Sequence, residues 1–197
     1  MMMKHLFLTI LLSHLLALPA FAVLPEGHPA PAVQAQASLA GKAFDYSLQE
    51  ALQKGLVVVY FFPSAYTGGC NIQAHGFAVD HDKFAAAGAT IVGVSLDSIE
   101  RLNSFSADPQ YCAGKFPVVA DVDGSIAKAF DVAVRDPSPG KTDTRGDEIT
   151  HGFAERATFI ITPDGKIAAT VGGLKPKENV AKALEIVQQL KAGRKAI

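Results

Sequence analysis

The sequence predicts an α/β sandwich: a central mixed β-sheet with helices on both faces. Two continuous apolar, β-prone runs, Leu56-Val57-Val58-Val59-Tyr60-Phe61-Phe62 and Ala89-Thr90-Ile91-Val92-Gly93-Val94-Ser95, have the composition of strands buried on both sides. A helical pattern follows each of them. Near the end, Ala157 to Thr162 and Lys166 to Val171 flank Pro163-Asp164-Gly165, a hairpin signal that precedes an amphipathic final helix. The 197 residues, 49% hydrophobic and 19% charged, suit one globular domain. With 18 Lys and Arg against 19 Asp and Glu, and no basic block, there is no electrostatic motive for nucleic-acid binding.

The chain opens with Lys4 ahead of an apolar run from Leu6 to Leu18, then Pro19 and the small-x-small pattern Ala20-Phe21-Ala22. This reads as a signal peptide over 1–22, and the run is shorter than the roughly 20 residues a membrane span needs. The expected product is a single domain over 23–197, periplasmic or secreted, with no membrane attachment after cleavage. From Val23 to Gly41, Pro25, Pro29 and Pro31 oppose helix, so an extended arm is expected. Ser47-Leu48-Gln49-Glu50 is a capping box for a short helix ending at Gly55. A longer helix is expected from about Cys70 to Ala87, closed by Gly88 and kinked at Gly76. Asp97 or Ser98 caps a helix with Ile99, Leu102 and Phe105 on one face, and Asp108-Pro109 breaks it. A short strand at Pro117 to Ala120 and a short helix from Gly124 to Phe130 come next. Arg135 to Gly152 reads as a long polar surface loop, and Pro176 opens the last helix with Val180, Leu184, Val187 and Leu190 on its apolar face. This order fits the thioredoxin-like class, in which ligands collect outside the carboxyl ends of central strands.

In this chain that place is the loop from Pro63 to Cys70. Two cysteines are too few for a disulfide scaffold or a four-cysteine zinc site, but they suffice for a redox pair. A thiol reacts as thiolate, so its ordinary pKa of ~8.5 must fall for work near neutral pH. A position in the first helical turn offers the Cys70 sulfur unpaired N–H groups and the positive end of the helix dipole. Gly68 and Gly69 allow close approach of the backbone, and Thr67 supplies a hydroxyl three residues earlier. The competing reading of Cys70 is a buried small hydrophobe.

Val57 to Cys70 resembles the active-site strand and loop of the peroxiredoxins, whose signature P-x-x-x-T-x-x-C is matched by Pro63, Thr67 and Cys70. Ile91 to Ser95, Lys115-Phe116-Pro117 and Arg156-Ala157-Thr158-Phe159-Ile160-Ile161 resemble further segments of that family in the same order. The likeness is nearest to its Q-type, or bacterioferritin-comigratory-like, group. It implies a thiol peroxidase acting on hydrogen peroxide or organic hydroperoxides without metal, haem or flavin. In that reading Cys70 is the peroxidatic thiolate, Thr67 hydrogen-bonds the peroxide, Arg156 stabilises thiolate and transition state, and Pro63 shields the sulfur. The chain departs from the Q-type pattern in two places: His75 stands where a partner cysteine is often found, and Thr67-Gly68-Gly69-Cys70 replaces T-P-G-C.

Cys112 is then the only internal thiol available to resolve a Cys70 sulfenic acid as a disulfide, which an external thiol reductant, thioredoxin-like or a small thiol, would reduce. An incidental thiol and a permanent Cys70–Cys112 bridge remain open as readings of Cys112. His75 is expected to pack or face solvent, and His151 lies in the polar loop with no assigned role. The chain is compatible with a monomer or a homodimer. The alternative function is a secreted thiol-disulfide or metal-carrier protein of the same fold, against which the absence of C-x-x-C argues.

Overall fold

The computed structural model describes residues 23–194, so the leader expected over 1–22 lies outside the described residues. The elements run β1 (Gln34–Leu39), β2 (Lys42–Ser47), α1 (Leu48–Leu52), β3 (Leu56–Phe61), α2 (Gly68–Ala86), β4 (Ala89–Ser95) and α3 (Ile99–Ala107). They continue with β5 (Val118–Ala120), α4 (Ser125–Ala129), β6 (Val134–Arg135), β7 (Phe153–Ala154), β8 (Ala157–Ile161), β9 (Ile167–Gly172) and α5 (Pro176–Lys191). Seven strands form one mixed sheet in the order β2-β1-β5-β4-β3-β8-β9, and β6 pairs separately with β7. The β3–β4 and β4–β5 pairs are parallel, while β3–β8, β8–β9, β1–β5 and β1–β2 are antiparallel.

The apolar run at 56–61 becomes the strand between β4 and β8, and its alternation sorts side chains to two faces. Val58 and Tyr60, continued by Phe62, enter one core with Phe77 and Phe84 of α2, Phe105 of α3, Phe116, and Val180 and Val187 of α5. Val57, Val59 and Phe61 enter the other with Leu48 and Leu52 of α1, Ala127 of α4, Phe130 and Phe159. Helices thus cover both faces, as the pattern of elements predicted. Cys70 and Cys112 both belong to the first core, so the topology puts them on the same side of the sheet.

The short helix is capped as its capping box required, with Ser47 Oγ accepting from the Glu50 N–H. Ser98, rather than Asp97, is the N-cap of α3 and accepts from the Arg101 N–H. One expectation is corrected. The segment read as an extended arm is extended only over its first part, where it bonds along the β8–β9 hairpin through Gly27, His28 and Ala30; residues 34–39 are a paired strand. The hairpin turns at Ala40 and Gly41, both at positive φ (50° and 81°), a conformation alanine seldom signals. Gly76 serves a close helix crossing: a Cβ there would stand 3.3 Å from Val180 Cγ2, so the missing side chain lets α5 lie on α2.

Candidate active site

Pro63 ends β3, and the chain reaches α2 through Ser64, Ala65, Tyr66 and Thr67. Thr67 is the N-cap in an extended conformation, which sets Cys70 in the first turn of α2. The thiol is free and 2% exposed. Arg156, immediately before β8, places Nη2 3.5 Å from Cys70 Sγ, and its Nη1 donates to Gln73 Oε1, one turn further along α2. A Cβ at Gly69 would lie 3.2 Å from Arg156 Nη2 and 3.4 Å from Pro176 Cγ, so the second glycine of the loop is what lets the guanidinium reach the sulfur.

Thr67 Oγ1 donates to the Ser64 carbonyl at 2.9 Å. Because that carbonyl can only accept, it takes the threonine proton, and the hydroxyl oxygen keeps its lone pairs for another donor. Pro63 and Arg156 also line a cavity of about 280 Å³ with Arg135, Glu155, Gly173 and Leu174. The structure therefore brings Arg156 against both Cys70 and the cavity wall it shares with Pro63, with Thr67 at the N-cap three residues before the sulfur. Cys112 lies elsewhere in the same core, in the turn between α3 and β5, fully buried and also free. Burial, with a smaller contribution from Asp108, pushes its thiol well above the ordinary range.

A buried polar network holds the loop from beneath. Asp97, after β4, accepts from the Ala65 N–H (2.7 Å), Ser95 Oγ (2.6 Å), Ser64 Oγ (3.1 Å), Arg101 Nε (2.8 Å) and His151 Nε2 (2.8 Å). Burial opposes the Asp97 charge, yet hydrogen bonding and charge from His151, with Ser95 and the Ala65 N–H, leave the carboxyl below its ordinary pKa. Burial likewise opposes the His151 cation, and its bond to Asp97 outweighs this and raises the imidazole. Arg101 Nη2 donates to the Ala65 carbonyl (3.0 Å) and to Asp143 (2.7 Å), whose side chain also binds Arg145. The Arg145 guanidinium lies 3.4 Å from the centre of the Tyr66 ring, and Thr144 donates its N–H and hydroxyl to the Tyr66 carbonyl. Tyr66 is held at φ 59°, a strained setting for a residue with a Cβ. The polar loop thus clamps the active-site turn, which its composition alone did not reveal. His75, facing outward, contacts the Gln110 carbonyl through Nδ1 at 3.1 Å.

A helix-start sulfur that meets a donor-only guanidinium, three residues after a threonine whose oxygen keeps lone pairs, suits attack on a polarisable bond between two oxygens. Fold and site together define a thiol peroxidase of the thioredoxin-like class. The particular family follows from comparison: residues 27–170 match the AhpC/TSA family, and the chain belongs to it. It is 31% identical over 134 residues to Peroxiredoxin Bcp of Bacillus subtilis, covering 68% of this chain and 78% of that one. Against the chloroplastic 2-Cys peroxiredoxin BAS1 of Hordeum vulgare it is 28% identical over 174 residues, 86% of this chain and 76% of that one. The structure of the Xanthomonas campestris bacterioferritin comigratory protein, described for its alkyl peroxide reduction, superposes with a TM-score of 0.62 at 27% identity, covering 79% and 91% of the two chains. The chain is a peroxiredoxin, a thiol-dependent peroxidase of the Bcp or Q type.

The same comparisons correct one expectation. The family match covers residues 27–170 and gives residues 1–22 no counterpart, so the signal peptide and the periplasmic or secreted assignment built on it gain no support from these relatives and are not kept.

Proposed function

We propose that Cys70 attacks hydrogen peroxide or an organic hydroperoxide and that Cys112 resolves the product. The Cys70 thiolate forms a bond to one peroxide oxygen while the O–O bond breaks. Thr67 Oγ1 accepts the hydrogen bond of the attacked O–H, and Arg156 Nη2 donates toward the charge that passes from sulfur to the departing oxygen, which takes up a proton and leaves as water or alcohol. Arginine suits this task because it stays protonated and presents several donors in a fixed plane. Cys70 is left as sulfenic acid. The Cys112 thiolate then attacks that sulfur, an S–S bond forms, and water leaves after protonation; an external dithiol reduces the disulfide. Support for two working cysteines comes from a relative, Xanthomonas campestris Peroxiredoxin Q, which has been solved with serine at either of two cysteines.

The observation that carries this reading is the Arg156 Nη2 contact at 3.5 Å from Cys70 Sγ, on a guanidinium already anchored through Nη1. It is tested by peroxide consumption with a generic dithiol and by trapping of sulfenic acid with dimedone. Cys70→Ser is expected to lose all protein-dependent turnover. Cys112→Ser is expected to accumulate trappable sulfenic acid after one equivalent of peroxide. Full activity in Cys70→Ser would remove the peroxidatic assignment, and dithiol-driven turnover in Cys112→Ser without sulfenic acid would remove the resolving one.

A further inference from the structure

Behind Arg156 runs a chain of buried amides. Gln73 of α2, Thr158 of β8 and Asn179 of α5 are each 0% exposed. Gln73 Nε2 donates to Asn179 Oδ1 at 2.9 Å, Thr158 Oγ1 donates to the same oxygen at 2.7 Å, and Asn179 Nδ2 donates to the Val171 carbonyl at 3.2 Å. The two ends of the chain have fixed roles. The guanidinium can only donate and the Val171 carbonyl can only accept. Each amide between them must turn its oxygen toward Arg156 and its NH2 toward Val171; reversing either would set donor against donor or acceptor against acceptor in a dry interior.

We infer that Asn179 is a positioning residue for peroxide reduction: from α5 it holds the Gln73 amide with its oxygen toward Arg156, and so aims the second guanidinium nitrogen at the Cys70 sulfur. Asn179 touches no reacting atom, and the inference rests on the role given to Arg156 above. Its depth is set by the docking of α5 on α2. Val180, the next residue, occupies the space that a Cβ at Gly76 would need, and Pro176, at the first position of α5, crowds Gly69 beside Arg156. Without the Asn179 oxygen, the Gln73 NH2 and the Thr158 hydroxyl lose their shared acceptor. The Gln73 amide can then turn over, and Arg156 Nη1 faces a donor instead of an oxygen.

The test uses the reduced full chain and reads two quantities: the single-turnover rate of peroxide consumption, and the pH profile of Cys70 alkylation by iodoacetamide in a Cys112→Ser background. Asn179→Leu is expected to slow peroxide consumption about tenfold or more, below the roughly hundredfold or more of deleting an aimed donor because Arg156 is misaimed rather than lost, and to move the alkylation profile to higher pH. Asn179→Asp, which buried in its protonated form still accepts from Gln73 and Thr158 and donates its O–H to the Val171 carbonyl, is expected to keep the rate within about threefold and the profile in place. Gln73→Leu should cost as much as Asn179→Leu, and the double variant little more than either, because the two act in series. Lower thermal stability of Asn179→Leu with unchanged rate and profile would overturn the inference, as would losses that multiply in the double variant. If the leucine variant does not fold, Asn179→Ala is read by the same two quantities. Wild-type rate in Arg156→Leu would instead remove the role of Arg156 itself.

Discussion

The Tyr60 hydroxyl is buried with no hydrogen-bond partner among the described residues, while its ring stacks on Phe62 (5.4 Å) and Phe77 (4.5 Å). Burial, with the two cysteines adding to it, keeps this phenol protonated far above its ordinary pKa. An unmet buried hydroxyl costs about 1–3 kcal/mol, whereas the ring supplies the packing. Tyr60→Phe is therefore expected to raise stability by about 1 kcal/mol in urea unfolding; a loss of that size would mean that the hydroxyl is satisfied after all. At this scale the sequence was informative wherever a residue's chemistry depended on near neighbours. Pro63, Thr67 and Cys70 are separated by fixed short spacings, and Arg156 opens a recognisable strand. Gln73 and Asn179 carried no such signal, because an amide 106 residues from its partner becomes part of a site only when two helices meet.

At the scale of elements, the segment between β6 and β7 was legible as a loop, but its work was not. Its polar residues look like a solvated surface until Thr144 bonds the Tyr66 carbonyl, Asp143 takes Arg101 and His151 takes Asp97, which between them hold Ala65. The His151–Asp97 pair makes that clamp sensitive to pH. The raised His151 pKa contributes stability that is fully present below its ordinary value of about 6.5 and is lost as pH rises through the folded value. The lowered Asp97 pKa contributes stability present above about 3.9 and lost as pH falls through its folded value. Ser64, Ser95, Arg101 and Asp143 face the same pair, and none of them is an ordinary titrating group between those limits. His151→Gln is thus expected to lower the thermal midpoint more at pH 5 than at pH 8.5; an equal drop at both would show that charge on His151 is not what the clamp uses. The β1–β2 hairpin was missed for a different reason. Its turn is made by Ala40 and Gly41, and a strand rich in Ala and Gln lacks the β-branched residues that announce one.

For the molecule as a whole, the central feature is that a seven-stranded sheet carries Cys70 beyond one strand end and Cys112 on the same face. The helix start around Cys70 and the turn around Cys112 both sit on that face, outside the hydrogen-bonded strands. Joining two cysteines requires Cα atoms within about 7 Å. If Cys112 resolves Cys70, oxidation is expected to raise amide exchange over about 64–75 and 108–116 and to leave β3, β4 and β8 protected. Exchange spread evenly over the sheet would instead point to global loosening.

The two segments that such a bond would rearrange are joined by rings. Tyr66, in the loop before Cys70, meets Tyr111, the residue before Cys112, edge to face with centres 5.5 Å apart, and the Arg145 guanidinium lies 3.4 Å from the Tyr66 ring centre. The chain contains four tyrosines and no tryptophan. Its near-ultraviolet emission is therefore tyrosine light alone, half of its emitters stand beside the two cysteines, and any rearrangement that joins Cys70 to Cys112 would be read by the protein's own optical gauge.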